Sequence, residues 1–107
     1  MVDHGFKIIK EDKIDCCKAG FHFKSHGRAA TIYYVENASV IPIYAEMSGV
    51  DYLDILIFGE TKHIDKRYYI NEQKVEIIQN EDRLRIQELL IKWLDEKGWR
   101  HDIMAGI

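Results

Sequence analysis

The chain has 107 residues, 47% of them hydrophobic and 31% charged, a balance that excludes disorder and collagen-like repeats and fits one globular domain spanning 1–107. Fifteen basic against eighteen acidic residues give a net charge of −3. The longest apolar stretches are Ile55 to Phe58 and a run from Val40 to Ala45 that contains Pro42, so no membrane-spanning helix is expected. The opening Met1-Val2-Asp3-His4-Gly5 lacks a basic and then apolar leader, which makes a cytoplasmic location the expectation.

In chain order, Phe6 to Lys10 reads as a short strand and Glu11-Asp12-Lys13 as the polar turn after it. Phe21-His22-Phe23-Lys24 alternates as a strand does, with Gly27 breaking or bulging it. Ala30 to Val35 is rich in β-branched and aromatic residues, and Glu36-Asn37-Ala38-Ser39 supplies a turn. The next strand places Ile41, Ile43, Ala45 and Met47 on one face and Val40, Pro42, Tyr44 and Glu46 on the other. Pro42 cannot donate to a ladder, so this strand is expected at an edge or with a bulge. Leu53 to Phe58 is apolar on both faces and reads as the central strand, followed by a fourth strand over His63–Ile70. Short turns between these runs imply an antiparallel meander, since parallel pairing needs long crossovers. Residues 74–78 fit either a further strand or an irregular lead into a helix.

The helix is the clearest element. Asn80 is the expected N-cap, Glu81 and Asp82 suit the first turn, and Gly98 supplies the C-terminal stop. Ile86, Leu89, Leu90, Trp93 and Leu94 form one apolar stripe, with Glu81–Arg85 and Glu88–Lys92 as i,i+4 pairs on the wet side. The tail from Trp99 to Met104 reads as a short returning edge strand. The expected fold is therefore α+β: an antiparallel sheet of four to six strands in a meander, with one C-terminal α-helix packed on one face.

Residues 31–60 hold five acids (Glu36, Glu46, Asp51, Asp54, Glu60) and no Lys or Arg. Phosphate binding needs clustered basic side chains, so this window argues against nucleic acid; it fits a basic protein partner or, more simply, a run of mostly buried strands with few long basic side chains. Cys16, Cys17, His22 and His26 carry metal-type ligands, but adjacent cysteines and an extended segment are the wrong spacing for zinc, and no metal is expected. A Cys–His nucleophilic pair has no supporting motif, and free cysteine is more often a small buried hydrophobe. Glu46, Asp51 and Asp54 are the candidate carboxylates, with solvated strand charges as their simpler reading. Phosphate-binding glycine loops and hydrolase motifs are missing from the sequence, so no cofactor is expected. All six tyrosines fall between residues 33 and 69, where they form either a binding face or ordinary cross-strand packing. Tyr44 and Tyr52 join Glu46, Asp51 and Asp54 as the expected partner-binding residues.

Tyr33-Tyr34-Val35-Glu36, Ile43-Tyr44-Ala45-Glu46-Met47, Asp54-Ile55-Leu56-Ile57-Phe58 and Asn80-Glu81-Asp82-Arg83-Leu84-Arg85-Ile86 follow one another in an order that resembles a group of small bacterial proteins built from a β-meander and one C-terminal helix. Some of that group are assigned as immunity proteins of contact-dependent or polymorphic toxin systems. The resemblance spans residues 30–104 and implies a non-enzymatic binder whose target is another protein. An accessory subunit of a larger assembly, or a small enzyme using carboxylates or a Cys–His pair, are the alternatives.

Overall fold

The computed structural model describes residues 4–26, 29–47, 55–57, 64–98 and 101–103. In order these form helix α1 (His4–Glu11), strands β1 (Gly20–His26), β2 (Ala29–Glu36), β3 (Ser39–Met47), β4 (Ile55–Ile57), β5 (Lys66–Tyr69) and β6 (Lys74–Ile77), helix α2 (Asn80–Lys97) and strand β7 (His101–Ile103). The fold is α+β with an antiparallel open sheet and a C-terminal helix, as the sequence pattern requires. It carries a second helix, α1, where the pattern predicts a strand over Phe6–Lys10. Phe6, Ile8 alternate like a strand, but Ile9 breaks the alternation and shares a helical face with Phe6, three positions away.

Strands β1, β2 and β3 pair in sequence, antiparallel throughout. The β2–β3 hairpin closes on Asn37 and Ala38, both at positive φ (51° and 59°), the conformation whose twist matches flanking strands. Ser39 Oγ donates to the Glu36 carbonyl at 2.6 Å across that turn. The far side of β3 is shared: β5 pairs with Ser39 and Val40, and β4 pairs with Ala45 to Met47. Thus β3, not the apolar run at β4, is the hub of the sheet. Pro42 sits inside it rather than at an edge. Counting alternate bonds from the Glu36–Ser39 closing pair turns the Pro42 nitrogen away from β2, into the interval between β5 and β4. No ladder bond is lost there among the described residues. Residues 74–77 resolve as β6, paired with β5, and the tail strand β7 runs parallel to β4 instead of extending the antiparallel order.

Helix α2 lays Ile86, Leu90 and Leu94, all fully buried, over Ala30, Ile32, Ile41, Ile43 and Ala45. Trp93 is half-buried at the margin of that core. The helix begins one residue earlier than its expected cap: Asn80 lies inside it, and Gln79 occupies the N-cap position in an extended conformation without a side-chain bond. Gly98 ends it as expected at φ 72°, donating its N–H to the carbonyls of Asp95 and Leu94. Arg85 reaches Glu36 at 2.8 Å and Asp82 at 3.3 Å rather than serving the expected Glu81 pair. Glu36 also accepts from Arg67 at 3.1 Å, so one carboxylate ties the hairpin to both β5 and α2.

On the opposite face α1 covers Tyr33, Val35, Val40 and Tyr68 with Ile9 and Phe6. The Phe6 and Tyr68 rings meet edge to face, 5.0 Å between centroids. Gly5 lies flat against Tyr68, leaving no room for a Cβ.

Candidate functional site

Alternation along β3 sends Tyr44 and Glu46 to the face that α1 covers only in part. Ile43 and Ala45, their chain neighbours, are buried under α2, whereas Tyr44 is 46% exposed and Glu46 is exposed. Register places Tyr44 opposite Thr31, which in turn faces Lys24 on β1, and places Glu46 opposite Ala29 and Leu56. Lys24, Thr31 and Tyr44 therefore form one row across three strands, with Ala29 and Glu46 in the neighbouring row. Lys24 and Ala29 are exposed and Thr31 is buried. Register thus brings a phenol, a carboxylate and an ammonium onto one face of the sheet. Lys24 and Thr31 were not among the expected site residues, because strand register cannot be counted from a single sequence. Asp51, Tyr52 and Asp54 lie outside the described residues.

The tyrosines do not form one face. Tyr33 and Tyr68 are buried in the α1 core, Tyr34 packs toward α2, and Tyr69 is half-buried. Tyr33 donates its hydroxyl to Asp12 Oδ2 and lies 3.3 Å from the Ile8 carbonyl, which fastens the end of α1 to the sheet. Burial first, and the Asp12 carboxylate second, push the Tyr33 phenol well above its ordinary range. It stays neutral at any physiological pH and acts as a tether.

Cys16 and Cys17 occupy the turn that follows α1, where the Cys17 backbone N–H donates to Asp15 Oδ1 at 2.8 Å. Cys16 beside it, and then Asp15, push the Cys17 thiol up from its ordinary value. That is the opposite of what activates a nucleophilic cysteine. His22 lies with Nε2 2.8 Å from the Lys18 carbonyl. Among the described residues no three His, Cys, Asp or Glu side chains converge in a way that would hold a metal ion. No described helix is long and apolar enough to cross a membrane.

Comparison with protein families, curated proteins and solved structures finds no match for this chain.

Proposed function

We propose that the protein is a small non-catalytic binding module that docks a basic protein partner on the open half of the α1 face, in the manner of an immunity-type inhibitor. The observation that carries this reading is Tyr44 with Glu46. Both stand exposed on the sheet's hub strand while Ile43 and Ala45, the chain neighbours of Tyr44, are buried. A rigid tyrosine contributes large contact area at low entropic cost, and a carboxylate beside it steers a basic surface. Of the five acids between residues 31 and 60, Glu36 is already paired with Arg67 and Arg85, and Glu46 is the one that stands exposed among the described residues.

The test is binding to the purified product of the adjacent gene, followed by kinetics at about 50 and 300 mM salt. Tyr44→Ala with Glu46→Gln is expected to weaken binding by roughly tenfold or more, while the single Glu46→Gln change lowers mainly the association rate and its salt dependence. Unchanged affinity in the double variant, with the melting temperature also unchanged, would move the interface off this strip.

A further inference from the structure

At the β1 edge of the sheet, between β1 and the last turns of α2, runs a groove of about 360 Å³ lined by Phe21, His22, Phe23, Lys24, Trp93 and Lys97; Phe21 and Phe23 belong to the α2 face, while His22 and Lys24 belong by register to the other. Its aromatic wall is continuous. The Phe21 ring lies 5.3 Å from Trp93 at an interplanar angle of 28°, and 4.5 Å from Tyr34 at 33°. Lys97 holds its ammonium 5.9 Å from the Trp93 ring centroid, and Lys24 closes the strand side. None of the six lining residues is acidic; Asp95 and Glu96 precede Lys97 on the helix without lining the groove. His22 contributes a defined polar edge. Its Nε2 lies 2.8 Å from the Lys18 carbonyl oxygen, which can only accept, so Nε2 is the donor there.

We infer that this groove binds a planar aromatic small molecule carrying one anionic group, a carboxylate or a phosphate. The volume is in the range of small-ligand sites. The roughly parallel Phe21 and Trp93 rings offer a stacking surface of sp² carbon. Lys97 places a cation over the aromatic wall and Lys24 adds a second at the strand rim, so the groove's sign is positive in a chain whose net charge is −3. An ammonium already resting near an indole face stays close to that face when it turns to an anion stacked there. Tyr44 and Glu46 do not line the groove, and its Trp93 and Lys97 come from α2 on the opposite face. Lys24 belongs by register to the Tyr44 row, and the discriminating variant is therefore Lys97→Gln.

The experiment is a two-dimensional NMR titration of the full chain with 1-naphthoate, with adenosine monophosphate and with neutral 1-naphthamide. At least one anionic probe is expected to shift the Trp93 indole N–H and the Phe21 and Lys97 amides, and which of the two does so separates carboxylate from phosphate recognition. Lys97→Gln is expected to weaken that probe by about two- to fivefold, the scale of a partly exposed charge contact, and to leave naphthamide unaffected. Naphthamide binding as tightly as the anions would overturn the proposal. So would anion binding indifferent to Lys97→Gln, or no shift at these signals with any probe at millimolar concentration.

Discussion

Ile86, Leu90 and Leu94 press an aliphatic stripe from an 18-residue helix onto one face of the sheet, whereas the 8-residue α1 reaches the other with Ile9, Phe6 and a hydrogen-bonded phenol. The α2 face is held by area removed from water, which is roughly additive and indifferent to detail. The α1 face is held by a few fitted contacts: Gly5 on Tyr68, Phe6 edge-on to the same ring, and Tyr33 on Asp12 and Ile8. Among the described residues, a short cap of this kind covers only part of its face, and Tyr44 and Glu46 stand exposed on the same face. The difference teaches that the proposed docking strip depends on how little of the sheet the smaller helix can reach.

The sharpest way to break the area-held face is Leu90→Ala. Leu90 is fully buried on the sheet-facing side of α2, so the loss should be about 2–5 kcal/mol, read as a lower denaturant midpoint with an unchanged slope. A loss under about 1 kcal/mol would mean that α2 contributes far less than its burial implies. Gly5→Ala probes the fitted face. The added methyl has nowhere to go but into the Tyr68 ring, and overpacking of this kind costs about 1–3 kcal/mol. Combining Gly5→Ala with Tyr68→Leu should cost less than the sum of the two single changes, because the clash partner is already gone.

The two helices also differ in how readable they are. The α2 stripe repeats over three turns, and both its stop at Gly98 and its buried residues follow from spacing alone. Helix α1 has barely two turns, too few for its period to stand out against the strand-like Phe6-Lys7-Ile8, and it is stable because β3 and β5 bring Val40 and Tyr68 to meet it. Pro42 was misleading for a related reason. Its local meaning, a missing donor, is correct, but only the division of β3's far side between two partners shows that no donor is needed there. The site divides the same way: Tyr44 and Glu46 are legible as one face of a strand, while the row they share with Lys24 and Thr31 comes from register.

Tyr33→Phe sharpens the contrast further, since it removes the tether and keeps the ring. The expected cost is about 0.5–1.5 kcal/mol, concentrated in amide exchange of α1 rather than α2. It should also change the response to alkali. With its phenol pushed up in the fold, Tyr33 keeps its proton while the unfolded chain releases one above about pH 10, so the native protein loses stability as pH rises past that point. The Phe variant lacks this contribution, and its stability should fall less between about pH 9 and 11. Parallel curves for the two proteins would show that Tyr33 is not the buried phenol that matters.

Ala38→Gly has the smallest expected effect and tests whether the two faces unfold together. Asn37 and Ala38 both hold positive φ in the hairpin turn, a pattern in which the second position favours glycine. An alanine there works against its own Cβ by about 1–2 kcal/mol, and glycine returns part of that as extra unfolded-state entropy. The net gain should be roughly 0.5–1 kcal/mol, seen as a higher midpoint with the same slope. The hairpin's two strands alternate side chains between both cores, Ile32 and Ile43 toward α2, Tyr33 and Val40 toward α1. A gain made in the turn is therefore shared by both faces if they melt as one unit. Probes on α1 and α2 should then move by equal amounts. If only the α2 probe moves, α1 is already detached before the sheet gives way, and the face that carries Tyr44 and Glu46 opens first.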